Sequence, residues 1–418
     1  MNENFIKTLK IDKVRHLENI TIPLSEEKCK HLILTGKNGS GKTSVLEALK
    51  AYLSIYTEDA RMQELIKFWR DSINRSKNTG NKTITSINDI TKQEEITGYK
   101  KELSRYEKGL VPEINNLNEM RVKIAEGKFI ISYYGAERNY VIQNEKQISK
   151  VDIKTKYKIS DRPGDVFVKY ILNLKATEAM AEKNGKPERA AEISAWFQRF
   201  DKTLQKIFKD ENAHLEFNFE TYEFHIMIPH REAFSFAEMS SGYAAVLDII
   251  TDIMMRMEEK VKSSFDLPGI VMVDEIETHL HIELQKDILP ILIELFPNIQ
   301  FIVTTHSPFI LSSIDNAVIY DLESKTLVNN DKGLSNITYE GVVEGYFNSS
   351  TLSRELVNKF NRYKQLVSKK QLSDDDYAEI IDLEAYLDEI PDFLAMEIMA
   401  DYHKMKLELS NREATTNG

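Results

Sequence analysis

Residues 36–43 constrain the fold more than any other part of this 418-residue chain. They form the sequence GKNGSGKT, which matches the phosphate-binding pattern G-x-x-x-x-G-K-[ST]. An apolar run at 31–34 predicts a strand before the loop, and apolar residues at helical spacing predict a helix after it. A P-loop requires this order of strand, glycine-rich loop and helix, so we expect an α/β nucleotide-binding domain.

The loop is predicted to bind the triphosphate of ATP through its backbone N–H groups and the dipole of the following helix. Lys42 would reach the β and γ phosphates, and the Thr43 hydroxyl would be a ligand of Mg²⁺. The predicted nucleotide-binding residues of the loop are Gly36, Lys37, Asn38, Gly39, Ser40, Gly41, Lys42, Thr43 and Ser44.

A second motif, GIVMVDE at 269–275, is an apolar run that ends in two carboxylates. It is typical of a buried parallel strand whose acidic residues lie at the carboxyl end, where open α/β sheets bind ligands. We expect Asp274 to belong to the Mg²⁺ site and Glu275 to orient and deprotonate the attacking water. The pair therefore predicts hydrolysis as well as binding.

Two shorter segments stand between and after these motifs. In FAEMSSGY, Ser240, Ser241 and Gly242 lead into a long predicted helix, so they would form either an anion site or an ordinary N-cap. In FIVTTHSP, His306 follows a predicted strand, a place where most histidines are structural.

Composition limits the partners. The net charge of −11 argues against a protein that coats nucleic acid over its whole surface. Residues 373–418 carry thirteen acidic and three basic residues, whereas 141–170 carry seven basic and four acidic ones and would be the better nucleic-acid surface. A single cysteine, Cys29, excludes an internal disulfide. With neither a signal peptide nor a membrane span, a cytoplasmic location is expected.

The pattern along the chain predicts five segments. They are an N-terminal lobe with the P-loop (1–56), a charged insertion that is helical at both ends (57–127), a helical lobe with a hairpin (128–235), a segment with the remaining motifs (236–335) and an acidic helical region (336–418). Strands at 129–134, 270–273, 301–304 and 318–320 alternate with helices. This alternation predicts a mainly parallel sheet with helices on its faces.

In this order, GKNGSGKT, MSSGY, VMVDEIETHLH and TTHSP resemble the motifs of the ABC ATPase superfamily, in the branch with SMC, RecF and OLD-type proteins. The resemblance implies an α/β ABC-type P-loop ATPase head with a mixed β-sheet, helical insertions and a helical C-terminal region. It implies a head-to-tail dimer in which Ser240, Ser241 and Gly242 act in trans on ATP held by the other protomer. The implied catalytic residues are Lys42, Asp274, Glu275 and His306, with His306 sensing the γ-phosphate.

Further positions follow from the same resemblance. The segment VRHLENITIPL looks like the N-terminal strand of RecF-like proteins, which would place Arg15 or His16 near the nucleotide. Arg138 and Gln143 are the candidates for the Q-loop. Tyr243 stands where transporter ATPases commonly have Gln. Residues 145–239 are too few for a long coiled coil, so an SMC-like rod is not expected.

Within that branch the chain looks most like the stand-alone ATPases of bacterial anti-phage systems, such as the Septu, PARIS and retron-associated ATPases. The resemblance implies a sensor or scaffold that controls a separately encoded effector, often a nuclease. One alternative is a RecF-like repair ATPase that clamps DNA. Another is an OLD-type nuclease, which the acids in VEG (343–345) and DDD (374–376) superficially suggest, although the latter sit where a helix cap is expected.

Overall fold

The computed structural model describes residues 3–78, 87–137, 148–259, 266–328, 354–369, 371–390 and 396–416. The chain divides into two compact units, Met1–Ile337 and Thr338–Gly418. The strands are β1 Ile6–Val14, β2 Leu17–Pro23, β3 His31–Thr35, β4 Leu110–Ile114, β5 Ile130–Tyr134, β6 His214–Asn218, β7 Glu223–Met227, β8 Phe234–Ser235, β9 Gly269–Val273, β10 Ile299–Thr304, β11 Ala317–Asp321 and β12 Thr326–Val328. The helices are α1 Lys42–Thr57, α2 Ala60–Asn78, α3 Ile87–Leu103, α4 Leu117–Ala125, α5 Phe167–Lys183, α6 Pro187–Phe208, α7 Ser241–Met257, α8 Ile282–Leu295, α9 Pro308–Leu311, α10 Arg354–Val367, α11 Asp374–Asp388 and α12 Met396–Thr416.

The central sheet of the first unit has six strands in the order β12-β11-β3-β10-β9-β5. All of its neighbouring strands run parallel except the edge strand β12, which is antiparallel to β11. Strands β3, β9 and β10 are buried along their whole length, as their mainly apolar sequences predict. The sheet is therefore mixed, and the predicted α/β fold class is confirmed.

A second sheet, in the order β2-β1-β4, is antiparallel. Gln300 of β10 joins it to the central sheet, since its side chain accepts from Ile6 N–H at 2.8 Å and donates to the Ile6 carbonyl at 3.0 Å. Gln300 is completely buried, so these bonds fix the two sheets to each other within the unit.

The segment 57–127 differs from its prediction. Helices α2 and α4 lie near its two ends as expected, but the strand β4 between them, which pairs with β1, was not predicted. Its sequence LVPEI contains Pro112, which lacks an N–H donor and weighs against a strand. Because β4 is the edge of its sheet, the missing donor is tolerated there.

Helices α5 and α6 and the hairpin β6–β7 pack around an aromatic cluster. The rings of Phe167 and Phe200 have centroids 5.2 Å apart, and Trp196 stacks on Phe200 at 5.7 Å. Phe236, in the turn before α7, lies edge-on to Phe167 at 6.1 Å. This cluster holds the chain that leads into the start of α7.

The second unit is a small helical body. Helices α10, α11 and α12 share a core that includes Phe360, Tyr363, Leu383 and Tyr402. Ser373 caps α11 in a reciprocal capping box with Asp376, so the DDD sequence serves the helix start as predicted. The VEG sequence at 343–345 lies outside the described residues. Among the helices that are described in either unit, none is long and apolar enough to cross a bilayer.

Candidate nucleotide site

The P-loop follows β3 and ends in the first turn of α1, as its sequence predicts. Gly36, Gly39 and Gly41 have φ values of 131°, 84° and 100°, which a residue with a Cβ adopts only with strain. A Cβ on Gly41 would also lie 2.8 Å from a methyl group of Leu17 in β2. The glycines therefore permit a tight curl of backbone that no other residue type would allow.

The Lys42 ammonium lies inside this curl. Its Nζ donates to the carbonyl of Gly36 at 2.8 Å and to that of Lys37 at 3.2 Å, and the residue is buried. Burial lowers the pKa of Lys42, while the charges of Glu275 and other nearby carboxylates oppose this shift. Lys42 is therefore a cation held close to carboxylates at the mouth of the loop.

The carboxylate of Asp274, directly after β9, meets the end of the P-loop. The Thr43 hydroxyl donates to Asp274 Oδ1 at 3.3 Å, and Thr43 is exposed whereas Asp274 is 2% exposed. The backbone N–H of Asp274 donates to the carbonyl of Tyr134 at the end of β5, at 2.8 Å. The structure thus brings the two predicted Mg²⁺ ligands into contact.

Sequence analysis missed Thr304, the last residue of β10. Its hydroxyl donates to Asp274 Oδ1 at 2.5 Å and accepts from the backbone N–H of Glu275 at 2.7 Å. Thr304 is completely buried, so this hydroxyl fixes both acidic residues of the motif. The only signal in the sequence is a threonine after an apolar strand, which is too common to indicate a role.

Glu275 has a left-handed backbone, with φ of 45°. This conformation costs a non-glycine residue free energy of about 1–3 kcal/mol and is found preferentially at functional sites. The Thr278 hydroxyl lies 3.4 Å from Glu275 Oε2 and donates to it, so the turn that follows helps to orient the carboxylate.

His306 lies after β10, beside the carboxylates. Its backbone N–H donates to Glu277 Oε1 at 2.5 Å, and its imidazole makes no hydrogen bond among the described residues. Burial and then the charge of Lys42 lower the pKa of His306, and the carboxylates of Glu277, Glu275 and Asp274 oppose them. A neutral ring is therefore favoured near Lys42.

One cavity, of about 240 Å³, joins most of the predicted site. Arg15 and His16, which are both exposed and lie in the turn between β1 and β2, face it together with the P-loop. The residues that line it are Arg15, His16, Asn38, Gly39, Gly41, Lys42, Thr43, Ser44, Glu275 and His306. The structure thus places residues of four separate sequence segments, the phosphate loop among them, around one space.

Ser240, Ser241 and Gly242 do not line that cavity. Ser240 and Ser241 are exposed at the start of α7, and Ser240 makes no side-chain cap hydrogen bond there. Gly242 is buried against the turn after β9, because a Cβ would lie 2.9 Å from the His279 carbonyl oxygen. The two hydroxyls are thus presented to the outside, whereas the glycine serves a contact within the chain.

The two Q-loop candidates, Arg138 and Gln143, lie outside the described residues. The described chain before them ends in Gly135, Ala136 and Glu137, directly after β5. Since the Tyr134 carbonyl accepts from Asp274 N–H, the segment leaves the sheet next to the acidic pair.

The glycine loop, the acidic pair and the histidine lie at the carboxyl ends of three adjacent parallel strands. The same unit carries the two exposed serines at the start of α7. This arrangement is that of an ABC-type P-loop head. The chain is similar in sequence to Septu PtuA and to retron ATPases. Residues 153–312 match the family described as "AAA domain, putative AbiEii toxin, Type IV TA system".

Three relatives show the extent of the similarity. The Septu protein PtuA of Bacillus mycoides (strain KBAB4) is 25% identical over 433 residues, covering 98% of this chain and 56% of that protein. The retron Vc95 probable ATPase of Vibrio cholerae serotype O1 biovar El Tor is 23% identical over 407 residues, covering 81% of this chain and 79% of that protein. The retron Ec83 probable ATPase of Escherichia coli is 34% identical over 149 residues, covering 34% of this chain and 27% of that protein. The chain thus spans about half the length of the Septu relative and about a quarter of the Ec83 relative.

Proposed function

We propose that this chain binds ATP with Mg²⁺ and hydrolyses the γ-phosphate bond. The observation that carries the proposal is the 3.3 Å contact between the Thr43 hydroxyl and Asp274, at a cavity that Lys42, Glu275 and His306 also line. A P-loop alone would support nucleotide binding, but the adjacent Glu275 supplies the base that hydrolysis needs.

The residues at the end of the loop suit a magnesium ion. Thr43 and Asp274 offer hard oxygen donors, and the exposed hydroxyl leaves room for phosphate oxygens and water, which Mg²⁺ keeps among its ligands. When bound, the ion neutralises charge that develops on the phosphate oxygens. Thr304 holds Asp274 in place for this purpose.

Lys42 and the loop N–H groups would bind the phosphates. In the structure the Lys42 ammonium bonds to two loop carbonyls, so a triphosphate would take their place as its partner. Glu275, oriented by Thr304 and Thr278, would accept a proton from the attacking water. His306 would contact the γ-phosphate side of the cavity, and Arg15 and His16 its outer rim.

The signature residues are proposed to act between protomers. Ser240 and Ser241 are exposed and do not line the cavity of their own chain. A second copy in head-to-tail orientation would place these hydroxyls and the α7 N-terminus against the γ-phosphate. Gly242 would act indirectly, by holding the helix tip against the turn after β9.

At the level of the cell, we propose that the chain is a cytoplasmic sensor or scaffold that controls a separately encoded effector, a nuclease, during anti-phage defence. The support is its similarity to Septu PtuA and to retron ATPases. The test is a pull-down of the full chain with the products of neighbouring genes, and failure to recover any of them would remove this part of the proposal.

A DNA clamp of the RecF kind is the second candidate function. The described part of the basic segment exposes Lys150 and Lys154, at 87% and 65% of their side-chain surface. A clamp would bind duplex DNA in the presence of ATP, with an affinity that falls steeply as salt rises. Absence of binding at low salt would discard this candidate.

The ATPase itself is tested with two variants. Lys42→Ala should abolish nucleotide binding, whereas Glu275→Gln should bind ATP normally and hydrolyse it at least about 100-fold more slowly, because a general base contributes about that factor. Wild-type turnover in Glu275→Gln would show that another group is the base. Absence of ATP turnover in the wild-type chain, with or without its partner proteins, would overturn the proposed hydrolysis.

A further inference from the structure

Glu277 lies in the turn that follows the acidic pair, and the nucleotide-binding motifs assign it no role. The turn is closed by a hydrogen bond from Leu280 N–H to the Glu277 carbonyl, at 2.9 Å. The Glu277 side chain extends to the residues that follow β10, where its Oε1 accepts from the backbone N–H of His306 at 2.5 Å. The other oxygen, Oε2, is buried and has no hydrogen-bond partner among the described residues.

A buried carboxylate oxygen without a partner lowers stability, because the oxygen loses its water without a replacement. A residue that served packing alone would be better replaced by an amide or an apolar side chain at this position. The loss of stability from the buried Glu277 oxygen therefore suggests a functional role, because proteins accept unsatisfied polar groups mainly at functional sites.

The bond from Glu277 is made to the segment that carries His306. The residues on either side of His306 have their own contacts, since Thr305 N–H donates to the Leu34 carbonyl at 3.0 Å and the Ser307 hydroxyl to Gln285 Oε1 at 2.7 Å. The His306 imidazole itself has no hydrogen bond among the described residues. Its place in the cavity is therefore set by its backbone, and the Glu277 carboxylate is the group that accepts from the backbone N–H of His306 itself.

We infer that Glu277 is a positioning residue, which fixes His306 at the phosphate side of the cavity by holding its backbone N–H. The inference rests on the proposed ATP hydrolysis, since it assigns Glu277 a part in that reaction. It also explains why an acidic residue stands in the turn: a charged acceptor makes a stronger bond to an N–H than a neutral one. Thr278, one residue further on, donates its hydroxyl to the Glu275 carboxylate, so the same turn also contacts the base.

The test compares Glu277→Ala with Glu277→Gln, whose amide oxygen still accepts a hydrogen bond. Glu277→Ala should lower kcat about 10- to 100-fold, the range expected when a catalytic group shifts by about an ångström, with the Kd for ATP changed less than about threefold. Hydrogen–deuterium exchange of a peptide spanning 301–309 should become faster in this variant. Glu277→Gln should retain both the slow exchange and a kcat within about threefold of the wild type.

Glu294→Gln is the matched control, because Glu294 lies on α8 with 65% of its side chain exposed and should leave exchange and turnover unchanged. The inference is overturned if Glu277→Ala keeps the slow exchange or if its kcat stays within twofold of the wild type. It is also overturned if kcat, ATP affinity and melting temperature all fall together, because that pattern indicates a general loss of structure. It is also overturned if Glu277→Gln loses as much as Glu277→Ala. Failure of the proposed function is distinguishable, since the wild-type chain would then show no turnover while the exchange measurement would still report the contact.

Discussion

The Thr304 hydroxyl is a single group on which both acidic residues depend, since it donates to Asp274 and accepts from the Glu275 N–H. Thr304→Val keeps the shape of the side chain and removes both bonds. We expect kcat to fall about 10- to 100-fold and the free energy of unfolding to fall by about 1–3 kcal/mol, because the Glu275 N–H is left without its acceptor. Thr304→Ser, which keeps the hydroxyl, should remain close to the wild type in ATP turnover and in chemical denaturation; equal losses in both variants would contradict this role.

His31, at the start of β3, makes stability depend on pH. Its Nδ1 accepts from Phe301 N–H at 3.1 Å, so the ring is neutral, and burial lowers the pKa of His31 to about 4. The unfolded chain binds the His31 proton more tightly than the folded one. The stabilisation that the neutral His31 ring contributes is therefore complete above about pH 6.5 and is lost as pH falls towards 4. Unfolding in urea should show a loss of about 2 kcal/mol between pH 7 and pH 5 from this residue. His31→Gln, whose amide oxygen can accept the same bond, should remove that part of the loss, and an unchanged pH dependence would contradict the prediction.

At the residue scale, sequence predicts what local spacing encodes. The P-loop and the Asp274–Glu275 pair are recognisable because their loop, strand and helix neighbours are contiguous in the chain. Thr304 is not, because its role arises from β10 lying beside β9 in the sheet. Arg15 and His16 face the cavity from a remote turn, and only the family resemblance pointed to them.

At the scale of elements, the start of α7 is fixed by contact with the turn after β9. Gly242 is helical, so alanine would ordinarily favour the helix by about 1 kcal/mol. Here its Cβ would lie 2.9 Å from the His279 carbonyl oxygen, which is backbone and cannot move aside cheaply. Gly242→Ala should therefore lower both the melting temperature and ATP turnover, whereas Gly98→Ala, on helix α3 with open space around it, should be neutral or stabilising. Equal effects of the two substitutions on melting would exclude the contact as their cause.

The same helix is anchored deeper in the fold by Asp252. Its carboxylate accepts from Arg256 Nε at 2.9 Å, from the Tyr134 hydroxyl at 2.8 Å and from Gly164 N–H at 2.9 Å, and the ion pair is almost completely buried. Asp252→Asn should lower the free energy of unfolding by about 3–5 kcal/mol, because it leaves a buried guanidinium without its counter-charge. The exposed pair of Arg189 and Glu192 is the comparison, and Glu192→Gln should cost at most about 1 kcal/mol. Chemical denaturation measures both, and a small loss in Asp252→Asn would show that the Arg256 charge is satisfied by backbone carbonyls alone.

Helices and strands whose apolar residues follow a regular spacing were predictable from the sequence. A strand that is defined by pairing with a strand far away in the chain was not. The amphipathic spacing of α5 and α6 and the apolar runs of β3, β9 and β10 are local signals, and each element is present. Strand β4 was missed because Pro112 speaks against a strand until its neighbours show that it is an edge. The buried network around Asp252 was missed for a related reason, since its acids and bases are spread over about 120 residues of chain and look solvated in the sequence.

At the scale of the whole molecule, a site formed by two protomers predicts that two inactive variants restore activity when they are mixed. Lys42→Ala destroys the phosphate loop of a protomer, and Ser240→Arg blocks its exposed helix tip, so each variant alone should be inactive as a symmetric head-to-tail dimer. In a mixed dimer, the loop of the Ser240→Arg chain faces the intact tip of the Lys42→Ala chain, and one of the two sites is whole. Equal mixing should therefore restore roughly a quarter of wild-type ATP turnover, since half of the dimers are mixed and each has one working site. A mixture no more active than its components, with dimers present by sedimentation and subunit exchange verified, would show that the serines act within their own chain or have no part in turnover.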